Sequence, residues 1–169
     1  MGDQLLPESA PAPLPAMVTC LSLDQPYAGL VAARLKKLET RLFPWPENAR
    51  PYPSPLLICA TLKVDKAVVA RLRDRIFRLT STADEPLFSA RGVALAVVDV
   101  VGCRVLTADD EPLSWYWDPV ADKGKTRYAW TLANVRRVKP FAVKGRQGFA
   151  MAVPREVVEK AMAEWKGGR

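Results

Sequence analysis

The stretch Gln25–Arg41 reads QPYAGLVAARLKKLETR and carries the most specific structural pattern in the chain. Asp24 is a residue type that caps helices and Pro26 suits a first helical turn, so we predict a helix over Pro26–Lys37. Across Leu38–Phe43 the residues alternate in character, which is the period-two pattern of a strand with one polar face. The sequence therefore predicts a helix that leads through a short turn into a strand.

Two charged side chains share a face of this strand, because Glu39 and Arg41 are two positions apart. Lys36 ends the helix and can fold over the same face, which aromatic Phe43 and Trp45 extend. Such a group could hold one nucleotide. Arg41 would donate to a phosphate or a base edge, Glu39 would accept from an exocyclic amine, and an aromatic ring would stack on the base. From spacing alone, a functionless surface ion pair worth roughly 0–1 kcal/mol is the competing interpretation.

The rest of the chain combines several strands with few helices. Strand patterns are predicted at Met17–Leu23, Leu56–Leu62, Gly92–Leu106, Tyr128–Val138 and Phe149–Val153, and helices at Val64–Leu79 and from Pro154. Because helices do not alternate regularly with strands, this order favours an α+β fold, a mixed sheet or small barrel of about five to six strands with flanking helices. A parallel doubly wound fold is disfavoured, and no glycine-rich phosphate loop is present.

Three segments are predicted to be irregular. Residues 1–16 are rich in proline and alanine and are expected to form a flexible tail, with the domain covering residues 17–169. Prolines break the chain between Pro44 and Pro55. Residues 107–125 form a long loop in which Trp115, Tyr116 and Trp117 either stack bases or, as we favour, pin the loop to the sheet.

Composition narrows the possible chemistry. The chain of 169 residues has no histidine, which excludes histidine-based triads and Cys/His zinc patterns. No clustered carboxylates are seen, so we predict no metal site and no cofactor. The formal net charge of +7 favours a polyanionic partner such as nucleic acid. Cys20, Cys59 and Cys103 lie in separate apolar stretches and are expected to be buried free thiols.

Location is inferred from two absences in the sequence. No apolar run approaches the roughly 20 residues that a membrane-spanning helix needs. The N-terminal residues, which include Asp3 and Glu8, lack the basic and then apolar pattern of a secretory signal. We therefore expect a cytoplasmic protein with no membrane partner, and the oligomeric state is not predicted.

The motif in the opening stretch resembles that of the ASCH domain (activating signal cointegrator homology domain), a member of the PUA-like superfamily of β-barrels. That family has a Gln-Pro-aromatic helix start followed by Gly-x-Lys-x-x-Glu-x-Arg. Here Lys36, Glu39 and Arg41 match, whereas Arg34 stands where the glycine usually is. The later run YAWTL from Tyr128, with Pro140 and the GRQGF at 145–149, is similar to the end of many such domains. The resemblance covers about residues 17–153.

This resemblance implies a PUA-like barrel whose cleft, lined by Lys36, Glu39 and Arg41, takes RNA or a modified nucleoside. Further candidates for contact with nucleic acid are a basic residue after a buried strand, aromatic rings near the cleft and a basic run near the end of the chain. These are Lys63, then Tyr27, Trp45 and Trp130, then Arg136, Lys144 and Arg146. Generic surface charge, or aromatic rings packed in the core, would explain the same residues without function.

Two alternatives remain open. The first is a small nucleotide-directed hydrolase, a ribonuclease or amidohydrolase. In it Lys36, if desolvated so that its pKa is lowered, acts as base, Glu39 transfers the proton and Arg41 stabilises an oxyanion. Related amidohydrolases acting on acetylated cytidine carry a threonine where this chain has Glu39, and a carboxylate beside Lys36 favours its charged form, which disfavours this chemistry. The second is a protein-interaction domain with a vestigial cleft, which the bulky Arg34 at the turn would favour.

Overall fold

A computed structural model describes residues 9–49, 51–144 and 151–167. Six strands form one sheet: β1 Met17–Gln25, β2 Leu38–Arg41, β3 Ser54–Val64, β4 Val93–Val105, β5 Tyr128–Ala142 and β6 Ala152–Pro154. Five α-helices flank it: α1 Tyr27–Ala32, α2 Lys66–Leu79, α3 Glu85–Ser89, α4 Glu111–Ser114 and α5 Arg155–Ala163. The expected α+β class is confirmed, and β1, β3, β4 and β5 correspond to their predicted segments. For the predicted strand Phe149–Val153, residues 149 and 150 lie outside the described residues, and β6 begins at Ala152.

Hydrogen bonding links the strands in the order β2-β5-β4-β3-β1-β6. Strands β1 and β3 run parallel, and the remaining neighbours are antiparallel. Among the described residues the pairing does not return from β6 to β2, so the sheet is mixed and not closed. The finer expectation of a closed barrel is therefore not confirmed.

Both faces of the sheet are buried, which explains the continuous apolar run in β3. Leu56 and Ile58 pack on one side with α1 and with Trp130 of β5. Leu57 and Cys59 pack on the other side with α5 through Val158. The predicted free thiols are present: Cys20 and Cys59 are buried and Cys103 is half-buried.

Helix α1 is shorter than its pattern predicted, because the chain leaves the helical conformation at Arg34, which has a φ of +64°. The backbone amides of Leu35 and Lys36 then donate to the carbonyl of Leu30 at 2.9 and 3.0 Å and close the turn. Glycine adopts this conformation without steric cost, which gives a physical reason for the family's usual residue. The Arg34 side chain does not obstruct the turn; it lies outside and donates to the carbonyl of Val135 at 3.0 Å.

The start of α1 also differs from the prediction. Asp24 does not cap the helix, because its carboxylate accepts from the hydroxyl of Thr61 on β3 at 2.6 Å. Instead Gln25, fully buried, accepts from the amide of Gly29 at 3.0 Å and donates to the carbonyls of Leu87 and Ala90. The Gln-Pro-aromatic motif thus joins β1, α1 and α3.

The N-terminal segment is described from residue 9 and contacts the sheet. The amide of Ala12 donates to buried Asp99 of β4 at 2.9 Å, and its carbonyl accepts from Arg136 of β5 at 3.1 Å. Leu14 packs against the core on the α5 side. The flexibility expected for residues 1–16 stays a prediction, and residues 1–8 lie outside the described ranges.

Candidate functional site

Three charged side chains converge at the start of β2, as the period-two spacing predicted. Lys36 Nζ lies 3.5 Å from Glu39 Oε2, and Arg41 Nε lies 3.2 Å from Glu39 Oε1. The Glu39 carboxylate is thus held between two cations, one oxygen toward each. Because Glu39 and Lys36 are almost fully buried, this is not the exposed pair of the competing interpretation.

Lys36 is the innermost member of the three. Its side chain is 2% exposed, and its ammonium donates to the carbonyls of Leu38 at 2.7 Å and Ser114 at 2.5 Å. The Tyr27 ring lies 5.4 Å from Nζ and covers it from another side. Two carbonyls, a carboxylate and a ring therefore surround this ammonium, which positions Glu39 and is itself closed off from a ligand.

Burial lowers the pKa of Lys36 from its ordinary value, and this effect outweighs the opposing attraction of Glu39. The nearby charges of Arg41 and Arg127 lower the pKa further. Glu39 raises the pKa of Lys36, as expected for a carboxylate beside an ammonium, but the loss of water around Nζ has the larger effect. The lowered pKa therefore corresponds to the desolvated Lys36 that the hydrolase alternative requires.

Aromatic side chains continue the site beyond Arg41. Trp130, directly across from Glu39 on β5, is fully buried, and its ring lies 5.9 Å from the Arg41 guanidinium. Phe43 and Trp45 meet this ring edge-on at centroid distances of 5.7 and 4.9 Å. Phe43 keeps 48% of its surface exposed. Trp130 therefore supports a partly exposed aromatic surface beside Arg41.

The proline-rich segment adds a further ring to this surface. Tyr52 lies 6.1 Å from Trp45 between ring centroids and is 44% exposed. Tyr52 was not among the predicted site residues, because a loop shaped by prolines has no periodicity from which a side chain's direction can be read. We call Phe43, Trp45 and Tyr52 the aromatic surface.

A second arginine approaches the trio from the residues before β5. Arg127 forms an ion pair with Asp122, lies 4.2 Å above the Tyr116 ring and reaches the hydroxyl of Thr40 at 3.4 Å. The hydrogen bond to Asp122 is the main cause that raises the pKa of Arg127, and the charge of Glu39 adds a smaller contribution. Sequence reasoning missed Arg127, since it is 86 positions from Arg41 in the chain and only the β2–β5 pairing brings them together.

The loop 107–125 covers Lys36, and its tryptophan pins it as predicted. Trp115 is 2% exposed, and its indole donates to the carbonyl of Leu35 at 3.0 Å. The neighbouring Ser114 supplies the carbonyl that holds Lys36. The expected irregular loop contains a 3-10 turn over Ala108–Asp110 and helix α4. Trp117 remains exposed.

Asp110 anchors the beginning of this loop. Its carboxylate accepts two hydrogen bonds at 2.6 Å from Arg104 and one from the amide of Thr107 at 2.8 Å. The hydrogen bond from Arg104 is the main cause that lowers the pKa of Asp110 to about 2. The loop that closes over Lys36 therefore starts from an ion pair.

We predict that Asp110 makes the protein lose stability in acid. Its pKa in the folded state is depressed, so its contribution is present above the unfolded value near 3.9 and is lost as the pH falls toward about 2. With solvent screening of the half-exposed Arg104, the loss is at most about 2 kcal/mol. Urea unfolding measures the stability at pH 5 and at pH 2.5. The decrease between these two pH values should be smaller in Asp110→Asn than in the unaltered protein, and exposed Asp109→Asn is the control. An unchanged difference would contradict the assignment.

The other predicted contact residues do not all join the site. Lys63 and Lys144 are exposed, and Arg146 lies outside the described residues. Arg136, a candidate from the basic run, forms an ion pair with buried Asp99 at 2.5 Å. Lys139 of the same basic run is 3.4 Å from Glu164. Both acids are far from the basic run in the sequence, so its composition did not reveal these ion pairs. The run is therefore less available to a polyanion than its composition indicated.

The described residues contain neither a metal-binding cluster nor a membrane-spanning helix. Over 9–49, 51–144 and 151–167, no three histidine, cysteine or acidic side chains are placed to hold a metal ion. Within the same part of the chain, no helix is both long and apolar enough to cross a membrane.

The family model of the ASCH domain matches residues 21–142, which is most of the chain. The chain belongs to the ASCH domain family. No curated protein matches it significantly. A tyrosine-to-phenylalanine variant of the ASCH protein from Zymomonas mobilis is similar in structure, with 9% sequence identity, a TM-score of 0.50 and coverage of 86% of this chain and 96% of that one. The unaltered Zymomonas mobilis protein matches with 8% identity, a TM-score of 0.49 and coverage of 86% and 92%. Because the identity to the first of these two structures is only 9%, the similarity indicates a shared ASCH fold and does not extend to function.

Proposed function

We propose that this ASCH domain binds single-stranded RNA or a modified nucleotide at the cleft formed by Glu39, Arg41 and the aromatic surface. The family association with nucleic acid and the net charge of +7 support a polyanionic partner. A PUA-like barrel and a cytoplasmic location belong to the same proposal. One observation carries it: Arg41 lies 3.2 Å from Glu39, its side chain is 26% exposed, and among the described residues none of its guanidinium nitrogens makes a hydrogen bond, the buried Nε included.

Arg41 is the group best placed to contact the ligand. Its side chain is 26% exposed, and its planar donors suit a phosphate or a base edge. Glu39 is 5% exposed and keeps acceptor capacity beyond its contacts with Lys36 and Arg41, since a carboxylate has about four lone-pair sites. Glu39 is thereby able to accept from an exocyclic amine while Lys36 holds it in place.

The aromatic surface supplies the stacking partner. Phe43 and Tyr52 are each nearly half exposed, and Trp45 and Trp130 connect them to Arg41. Stacking on such rings contributes about 1–3 kcal/mol per base. Buried Trp130 supports the rings of the aromatic surface, and half-buried Tyr27 packs against Lys36. Exposed Lys63 and Lys144 are available for phosphate contacts, and Arg146 remains a candidate by sequence. Arg136 already neutralises Asp99, so we assign it a weaker role.

Geometry favours binding over the hydrolase alternative. A lysine base needs its nitrogen beside the reacting atom. Lys36 Nζ is enclosed by two carbonyls and Glu39, so a substrate has no direct access to it. Its lowered pKa is the one feature that favours catalysis, and the binding experiment below therefore includes an assay for cleavage.

We predict that Arg41→Ala weakens binding of a short single-stranded RNA pool roughly ten- to a hundredfold, as expected for a lost charge-assisted hydrogen bond. Fluorescence anisotropy at two salt concentrations would measure this, with Arg91→Ala as control, because Arg91 is exposed and carries the same charge. Comparison with a matched DNA pool shows whether the protein distinguishes ribose from deoxyribose. A gel shows whether the RNA is cut.

Equal affinities for Arg41→Ala and Arg91→Ala would contradict the proposal and leave the protein-interaction alternative. RNA cleavage that Glu39→Gln abolishes would replace the binding proposal with the hydrolase. Intact RNA and a selective loss on Arg41→Ala would support the cleft.

A further inference from the structure

Helix α2 packs against the domain through a narrow apolar stripe. It begins at Asp65, whose carboxylate accepts from the amide of Val68 at 3.0 Å. Leu72 is the one buried residue among its 14, and it packs with Leu30 and Trp115. Val68 and Ile76 border the same cluster, which places the apolar stripe inward. The opposite side of α2 therefore faces solvent.

One arginine of α2 is committed to this packing. Arg75 lies 3.8 Å above the Trp115 ring, forms an ion pair with Glu111 at 2.7 Å and donates to the carbonyl of Pro112 at 3.1 Å. It fastens the helix to the loop that covers Lys36. Arg75 is therefore structural, and its charge is already matched.

Four other cations of the helix are exposed and unmatched. Within the residues that the structure describes, none of them forms an ion pair: Lys66, Arg71, Arg73 and Arg78. The guanidinium of Arg78 donates only to the backbone carbonyl of Asp74, at 3.2 Å. Asp74 is the one acid within α2, so its solvent side carries a clear positive excess.

A large aromatic ring projects among these cations. Phe77 is 79% exposed. It follows Arg73 by four positions, which makes the two side chains neighbours on the helix surface. Phe77 is largely uncovered in the described fold, and an exposed ring beside an arginine matches the composition of surfaces on which bases stack.

We propose that this solvent side of α2, which we call the α2 basic face (Lys66, Arg71, Arg73, Phe77 and Arg78), binds single-stranded RNA. The arginines contact successive phosphates, and Phe77 stacks on a base. Arg71 and Arg78 are seven residues apart, or about 10.5 Å along the axis, which matches about three stacked nucleotides. This surface is additional to the cleft and does not depend on it.

The arrangement of charge and apolar surface favours a single strand over the other polyanions. A helix that lies on a membrane inserts its apolar stripe among the lipids, whereas the stripe of α2 is packed against Leu30 and Trp115. A nucleic-acid duplex offers phosphates but keeps its bases stacked, so it would leave Phe77 unused. An unpaired strand uses the arginines and the ring together.

Two matched pairs of variants test the proposal on a fluorescent 12-nucleotide single-stranded RNA. Arg71→Ala/Arg73→Ala/Arg78→Ala removes three charges from the face, and Arg91→Ala/Lys125→Ala/Lys166→Ala removes three exposed charges elsewhere. We expect the first triple variant to lose at least about tenfold in affinity and about two units of salt slope, at roughly 0.7 per phosphate. The control triple variant should lose much less.

The second pair separates stacking from charge. Phe77→Ala should weaken binding about fivefold or more without changing the salt slope, whereas Leu79→Ala, which removes a 55% exposed apolar side chain from the same helix, should not. Circular dichroism confirms that each variant is folded.

Three results would overturn the proposal: equal losses in both triple variants, a duplex of the same length bound as tightly with no effect of Phe77→Ala, or anionic vesicles bound through these residues while RNA is not. Measuring Arg41→Ala in the same assay separates the contribution of the cleft from that of the α2 basic face. If Arg41→Ala is silent and the α2 variants are not, the cleft proposal fails and this one stands.

Discussion

Lys36→Met is expected to lower the free energy of unfolding by about 3 kcal/mol, even though methionine fills a similar volume. The carbonyls of Leu38 and Ser114 each lose a donor, and Glu39 keeps its buried charge with only Arg41 beside it. Urea unfolding at pH 7 measures the difference. Lys37→Met is the control, because Lys37 is the adjacent, less buried lysine.

The same variant should change the pH dependence of stability. Burial lowers the pKa of Lys36 in the folded protein, so between that value and the unfolded value near 10.4 the unfolded chain binds more protons. This group therefore makes stability rise as the pH is raised toward 10, and Lys36→Met removes the rise. A stability change below about 1 kcal/mol with an unchanged pH profile would show that water reaches the carbonyls and Glu39.

Asp99→Asn is the substitution with the second large expected effect. Asp99 is fully buried and accepts from Arg136 at 2.5 Å, Asn134 at 2.8 Å and the amide of Ala12 at 2.9 Å. An amide in its place leaves the Arg136 guanidinium without a counter-charge, at a cost of about 3–5 kcal/mol. Thermal or urea unfolding measures this cost.

A local measurement complements the stability test. The amide of Ala12 should exchange its hydrogen faster in Asp99→Asn, because the carboxylate oxygen that accepts it is replaced. Exposed Asp109→Asn should leave both stability and exchange unchanged. A stable Asp99→Asn with a protected Ala12 amide would mean that the buried ion pair does not hold the N-terminal segment.

Much of the fold was predictable, since strand periodicity and helix spacing are local properties. Alternation from Leu38 placed Glu39 and Arg41 on one face, and the apolar run in β3 indicated a strand buried on both sides. The end of α1 was not predictable from pattern, because the apolar spacing continues through Leu35 while the backbone turns at Arg34. Because the residue at the turn is an arginine and not a glycine, the sequence carried no local signal for the turn.

Sequence patterns indicated candidate site residues but not the surroundings of those residues. The candidates Trp45 and Trp130 pack against each other near Arg41, and their contact with a ligand stays a prediction; Tyr52 and Arg127 were not among the candidates. The counter-charges of the basic run, Asp99 beside Arg136 and Glu164 beside Lys139, were not predicted because they are distant in sequence. Whether a charge is free depends on partners that spacing does not reveal.

The sequence by itself determined the helix-turn-strand motif, the shared face of Glu39 and Arg41 and the positive charge, because each follows from local periodicity or composition. Only the tertiary structure decided that Lys36 is buried under Ser114, that Trp130 supports the aromatic surface and that α2 presents Phe77 among unmatched arginines. These outcomes rest on which strands pair and where loops close. Such contacts join residues as far apart as Lys36 and Ser114, and no local pattern specifies them.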